Sequence, residues 1–402
     1  MLISNIDGRL NASHFDAGSN SVQIDIKNTL HFIKDYSLMY EDLLLNAMGF
    51  YNVSSNVTNG KVRFINFTMG GNITKAKPDN CAWEPNGKVG TNSSTIDLCP
   101  ANVQIEHCHG LIECWRELFG TGNQVTDPTA TEFGQLQYRQ LLELVFKAIG
   151  NDFYKINWFG RNELMLKAAA QTLGQTNPDQ YNELKKTLDT CGGWTSIIDY
   201  YQSQGIQNFA CNAINSDNVS GGKFLGDIIE VFKKMVECAS PAFKAAMKTR
   251  QVGGADGRAC MLVTPDLYDA YKEYLLQRYN TIPDIFHFSM NGEFCAKIGC
   301  GANSRMDGAL LWDNIWIKCM DSWAVATSEM AINHTRAILT LPKNLALGVD
   351  VGDSGAGNGM GFTLYQDKEN PTLRGKLFGE TNYQLGTGII FKDFIVNSSI
   401  IY

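Results

Sequence analysis

The 402-residue sequence predicts an α+β fold, and three features carry that prediction. The first is a strand-rich, polar stretch over 50–102. The second is an amphipathic helix over 131–158. The third is a buried strand, ACMLV, running through Thr264-Pro265-Asp266 into another helix, after which the text from Ala309 onward is mostly strand and turn.

The stretch 50–102 is dense in Gly, Asn, Ser and Thr, with short alternating apolar pieces. Val62/Phe64 and Ile65/Phe67/Met69 run out, and Ile96/Leu98 come back. Such alternation predicts a two-stranded ribbon with one half-buried face. A lone hairpin is marginal in water and needs further strands or a packing partner. The expectation is that this partner is another molecule, with Val62, Phe64, Phe67, Ile96 and Leu98 as the contacting side chains.

Ahead of the ribbon, residues 1–49 read as an arm with one alternating piece (Val22, Ile24, Ile26) and a helix over Asp35–Met48. After it, Leu141, Leu144, Val145, Ala148 and Ile149 form the apolar stripe of the helix 131–158, and Gly160 is its expected stop. At about 1.5 Å per residue such a helix is roughly 40 Å long. A second helix is predicted over Phe224–Glu237, with Phe224, Ile228, Val231, Phe232 and Met235 on one face and Glu230/Lys234 paired across one turn. Thr264 supplies an N-cap, Pro265 a first helical residue and Asp266 a first-turn acid.

Composition narrows the function. The chain is 44% hydrophobic and 19% charged, as in ordinary globular proteins, and no run of about 18 apolar residues predicts a membrane span. The N-terminus has no basic start or apolar centre of a signal peptide. A net charge of −7 argues against a dedicated nucleic-acid binder, whose affinity comes from neutralising phosphates. The 11 cysteines are irregularly spaced, several in apolar contexts (Cys238, Cys260, Cys319), and are expected to be reduced and structural.

Candidate chemistry is sparse. His107, Cys108, His109 and Cys114 form a ligand-like cluster without the spacing of a zinc site; packing is the expected role. Cys295 and Cys300 bracket a short loop. The glycine-rich pieces VGGADGRA and GDSGAGNGMG have no Walker Lys-Ser/Thr ending and read as turns. Gly352–Gly355 echoes a serine-protease loop without the flanking sequence of that fold. Nine N-x-S/T sequons (Asn11, Asn52, Asn56, Asn66, Asn72, Asn92, Asn218, Asn333, Asn397) raise a secreted glycoprotein, but abundant Asn, Ser and Thr explain them. Trp312, Trp316 and Trp323 are expected in the core. No catalytic residue, cofactor or metal is assigned.

Three C-terminal segments, ACMLVTPDLYDAYKEYLLQRY, RMDGALLWDNIWIKCMDSW and NHTRAILTLPKNLALGVDV, resemble in that order the major capsid proteins of tailed bacteriophages, most nearly those of crAss-like and other Bacteroidetes phages. TEFGQLQYRQLLELVFKAIGNDFYKINWFG is similar to the spine-helix segment of that family. The resemblance implies the Hong Kong 97-type fold. It places an N-terminal arm at 1–49, an extended loop at 50–102 and a peripheral domain at 103–165 containing the spine helix 131–158. An axial domain at 166–350 and return strands at 351–402 would follow.

It also implies a non-catalytic shell protein forming hexamers and pentamers around double-stranded DNA, located in the virion after assembly in the host bacterial cytoplasm. Partners would be further copies of the chain, the packaged DNA without sequence specificity, and separate scaffolding, portal and cement proteins. The crosslinking lysine known in some members is not carried over, since nothing marks Lys61, Lys75, Lys77 or Lys88 as activated. A secreted glycoprotein hydrolase and a metal-stabilised binding module are the competing classes; the first needs paired acids in a cleft, the second a stoichiometric metal.

Overall fold

The computed structural model describes residues 21–25, 50–54, 57–58, 60–69, 89–107, 148–247, 251–252, 255–256, 258–279, 309–350, 361–366 and 377–402. The expected helix 35–48, most of the spine helix, the cluster at Cys108–Cys114, the Cys295–Cys300 loop and the Gly352 loop lie outside these residues.

Two sheets organise the described chain, and both mix with helices, so the fold is α+β. The first is built around the long strand Leu377–Ile389. Cys99–His107 pairs along one edge of it, while Gly361–Gln366 and Leu345–Asp350 pair with its two halves on the other. Ser21–Asp25 adds beyond Gly361–Gln366, and Tyr51–Ser54 runs parallel to Leu345–Asp350. Segments from the first 107 residues and from 345–389 therefore meet in one sheet. Leu345–Asp350, grouped above with the span 166–350, pairs here with the strand leading into the ribbon.

The second sheet has the order Ala309–Trp312, Ile315–Cys319, Cys260–Val263, His334–Thr340, Ile395–Ile401. Its central strands are buried throughout, which suits a sheet covered on both faces. Alternation sorts the side chains into two cores. Cys260, Leu262, Trp316, Ile338 and Ile395 face the core containing Tyr154, Trp158, Trp194 and Trp323. Met261, Val263, Ile317, Leu339 and Val396 face the core containing Phe232, Phe243 and Tyr271. Trp316 and Trp323 are thus core residues, and Trp312 packs half-buried at its edge. Each fully buried aliphatic or Phe side chain contributes about 1.5–3 kcal/mol relative to exposure.

Local chemistry accounts for the element boundaries. Asp313 and Asn314 both have positive φ (43° and 67°), so they close the Trp312/Ile315 hairpin with a twist that matches its strands. Gly221 and Gly222 do the same for Val219–Ser220 and Lys223–Phe224. Within VGGADG, Val252 pairs antiparallel with Ala255.

The predicted helix from Phe224 starts later, at Ile228, because the Asp227 carboxylate accepts the Ile229 and Glu230 amides. Its buried face is Ile228, Val231, Phe232 and Met235, and Lys234 pairs with Glu230 at 3.0 Å. The helix Asp321–Glu329 stands in a region whose sequence reads as strand and turn. Trp323, Ala326 and Met330, at helical spacing, bury its inner face.

The expectation of reduced cysteines fails for four of them. Cys99 is bonded to Cys191 and Cys211 to Cys238, whereas Cys260 and Cys319 are buried thiols. The partners are 92 and 27 residues apart, so nothing in local spacing reveals them. No described helix is long and apolar enough to cross a membrane.

Candidate assembly site at the base of the ribbon

The ribbon is antiparallel, its register running from Lys61 opposite Asp97 to Met69 opposite Val89. At its base the alternation is strict. Val62, Phe64 and Ile96 turn inward, while Lys61, Arg63, Thr95 and Asp97 are exposed. Gly60, in the left-handed region at φ 69°, lets its carbonyl accept the Leu98 amide at 2.9 Å and closes the base. Lys61 and Asp97 form a solvent-exposed ion pair on the first rung at 2.8 Å.

The inward face is already covered by this chain. Val62, Phe64 and Ile96 keep 0%, 8% and 5% of their surface and pack on Ala346, with Leu98 and Ile390 at the edge. This corrects the expectation that these side chains await another molecule. For Val62 no exposed area remains to be lost, and little remains for Phe64 and Ile96. Leu98 is half-buried. Phe67 lies further out on the same strand, and its side chain is outside the described ones.

The seat is flat because glycine occupies it. Ala346 stands opposite Gly388 and Gly348 opposite Gly386 in the antiparallel pair beneath the ribbon. A Cβ on Gly388 would come within 2.7 Å of Ile96, and one on Gly348 within 2.8 Å of Leu98. On Gly386 it would reach 2.5 Å from the Asp97 carbonyl. Glycine within a strand marks close approach of another backbone, and Gly386 and Gly388, two apart on one face, carried that signal in the sequence.

Beneath the seat, the Trp194 indole N–H is shared between the Ala346 and Gly388 carbonyls, each at 3.2 Å. Trp194 stacks on Tyr51 at 5.1 Å and meets Trp158 edge-on at 4.7 Å, and Trp158 in turn meets Trp323 at 4.9 Å. An aromatic column thereby links the ribbon seat to the second sheet, each pair adding about 0.5–1.5 kcal/mol beyond area burial.

The helix that ends at residue 159 is anchored at the same place. Gly160 is its stop, as predicted, and a Cβ there would clash at 2.1 Å with the Cys191 carbonyl. The Gly193 amide donates to the Gly160 carbonyl at 2.7 Å, and Arg161 donates to the Asp189 and Thr190 carbonyls at 2.8 and 3.1 Å. Thr387 donates to the Gly192 carbonyl at 2.8 Å, and the Cys99–Cys191 disulfide ties the ribbon's exit strand to this turn.

A buried polar cluster sits just behind. One Arg336 nitrogen, Nη2, contacts both Asp199 oxygens at 2.8 and 2.9 Å, and Asn162 donates to the same carboxylate at 2.7 Å. Asn162 also caps its helix by accepting the Met165 amide, and Thr195 donates to the Trp158 carbonyl at 2.5 Å. Arg336 Nε donates to His334 Nε2 at 3.0 Å, which requires the neutral imidazole with its proton on Nδ1. Burial, and then the neighbouring guanidinium, hold His334 well below the usual histidine range. The cluster is an electrostatic pin between the helix Trp194–Ser203 and the second sheet.

Among the described residues no group of three or more His, Cys, Asp and Glu could hold a metal ion.

No family model matches the chain, and no curated protein matches it. Among solved structures it is similar to the satellite phage P4 procapsid including the size determination (Sid) protein. The identity there is 13% and the TM-score 0.46, over 92% of this chain and 96% of that one. It is also similar to the capsid of Ralstonia phage GP4 (9% identity, TM-score 0.42, 87% and 86%) and to Mycobacterium phage Ogopogo (12% identity, TM-score 0.40, 88% and 90%).

Proposed function

We propose that the chain is a major capsid protein of a tailed bacteriophage with the Hong Kong 97-type fold, a non-catalytic shell subunit that assembles with copies of itself into hexamers and pentamers around double-stranded DNA. The observation that carries this reading is the ribbon. Its base is clamped on a glycine seat, yet its pairing continues several rungs past the last seated side chain, to Met69 and Val89. A cantilever anchored so firmly at one end is suited to reach a neighbour with the other.

The order of sequence elements supports the same reading: an arm, the ribbon, the spine helix and the second sheet. In this scheme Val62, Phe64 and Ile96 hold the ribbon to its own subunit, and Phe67 and the outer rungs contact the next one. Many weak contacts, multiplied by closed symmetry, then stabilise the shell, and the net charge of −7 keeps its wall from adhering to packaged DNA. Scaffolding, portal and cement proteins would be separate partners, and the location would be the virion after assembly in the host cytoplasm.

The test is negative-stain microscopy of the full chain beside a variant in which residues 66–92 are replaced by a two-residue Asn-Gly turn. Shells or capsomers are expected from the first, and folded, monodisperse subunits from the second. Monomers from the full chain at high concentration, or shells from the shortened one, would overturn the proposal.

A further inference from the structure

We infer that the Cys99–Cys191 disulfide is a reversible lock on the ribbon base, opened and closed in the folded chain by small thiols and disulfides. Three observations converge on it. Cys99 lies two residues beyond the last ribbon rung at Asp97, and Cys191 lies in the turn that abuts Gly160, so the bond joins the ribbon's exit to the end of the helix.

Both backbones are held without it. Cys99 sits opposite Leu385 in the first sheet, and the turn around Cys191 is fixed by the Gly193–Gly160 and Arg161–Asp189 hydrogen bonds. With the Cα atoms 5.6 Å apart, the two thiols stay adjacent when the bond is open.

A cavity of about 370 Å³ lies beside the bond, lined by Cys99 and Cys191 together with Phe64, Ile96 and Arg161. Its volume lies in the size range of small-molecule sites, enough for the cysteinyl end of a tripeptide thiol. Other described cysteines are placed differently. Cys211 packs in the second core, Cys238 lies at its edge, and neither lines this cavity. Cys319 is buried, and burial together with its hydrogen bond to Asp321 pushes its thiol up, away from the reactive thiolate.

Closure is thiol–disulfide exchange with an oxidised small disulfide such as glutathione disulfide. The thiolate of one cysteine, its proton given to solvent, attacks a glutathione sulfur and expels one glutathione thiolate. The second cysteine's thiolate attacks the resulting mixed disulfide at the protein sulfur, forming the Cys99–Cys191 bond and expelling the second glutathione thiolate. Two electrons pass from the protein thiols to the oxidant, and opening is the reverse. The lock operates in the isolated chain, whether or not the chain builds a shell.

The test equilibrates the full chain, without denaturant, in glutathione buffers of stepped ratio, then traps thiols by alkylation and maps them by mass. Cys99 and Cys191 are expected to become labelled together as the ratio turns reducing. Hydrogen exchange at residues 94–98 is expected to quicken by about 10-fold in the reduced chain, because the ribbon base then opens locally at lower cost. Cys99→Ser should show the fast exchange in every buffer, and Cys211→Ser should respond as the unaltered chain does. Labelling of Cys99 and Cys191 only after denaturant, or equal exchange at 94–98 in both states of the unaltered chain, would overturn the inference. Those two readings need no variant, so they stand even if a serine substitution fails to fold.

Discussion

Gly348 and Gly386 face each other across the strands that carry the ribbon, and the space their missing side chains leave is filled by Val62, Leu98 and Ile96. The ribbon's own covalent continuation, through Cys99–His107, pairs with the same long strand. Its base is therefore part of the first sheet's packing, and only its outer reach is free for another role.

Filling the seat should dislodge the ribbon. Gly388→Val is expected to cost about 1–3 kcal/mol by overpacking against Ile96. Gly192→Ala, where an added Cβ meets nothing within 4 Å, should stay within about 0.5 kcal/mol of the unaltered chain. Urea unfolding of the two variants compares them directly.

The buried pair behind the aromatic column should behave as a unit. Asp199→Asn removes the charge facing Arg336, and breaking such a pair costs about 3–5 kcal/mol. Pairing it with Arg336→Met should cost markedly less than the sum of the single changes. A double-mutant cycle in urea measures the difference; strict additivity would show the two residues to be uncoupled.

His334 makes stability depend on pH in a defined direction. Its folded value is depressed below the ordinary 6.5, so the unfolded chain takes up the proton first. Its contribution is fully present above about pH 6.5 and is lost as pH falls toward the folded value, with a slope of at most about 1.4 kcal/mol per pH unit. Asp152 acts oppositely in the carboxylate range, because burial raises its carboxyl against the pull of Lys155. The informative measurement is therefore the difference in urea midpoint between the unaltered chain and His334→Gln. That difference should change between pH 7 and pH 5; a constant offset would refute the assignment.

Asp227 tests the corrected helix start. Asp227→Ala removes the acceptor of two amides and should cost about 0.5–2 kcal/mol, read by thermal unfolding. A helix beginning at Phe224 would place this residue in its first turn and predict a much smaller loss.

Assembly and folding should separate along the ribbon. Ile96→Ala is expected to destabilise the isolated subunit by about 2–5 kcal/mol, as for buried Ile elsewhere. Phe67→Asp is expected to leave subunit stability within about 0.5 kcal/mol while reducing shell yield in sedimentation. An equal effect of both on the isolated subunit would place Phe67 in the seat with the others.

Much of this was legible in the sequence. Period-two alternation at Val62, Phe64 and Ile96 announces the ribbon and its inward face. The run Cys260–Val263 followed by Thr264-Pro265-Asp266 announces the buried strand and its helix, and Glu230/Lys234 with Phe232 announces another. These signals are local, since side-chain direction follows from the backbone period and capping acts within one turn. What covers the inward face is a different kind of fact. It depends on strands from 345–350 and 384–389 pairing so that Ala346, Gly348, Gly386 and Gly388 form one flat surface far along the chain from Val62. The Cys99–Cys191 bond and the Asp199–Arg336 pair, 92 and 137 residues apart, have the same origin. Local periodicity carries no information about which distant segment supplies the partner: it shows that the ribbon needs a surface, while long-range strand pairing brings that surface to its base from within the same chain.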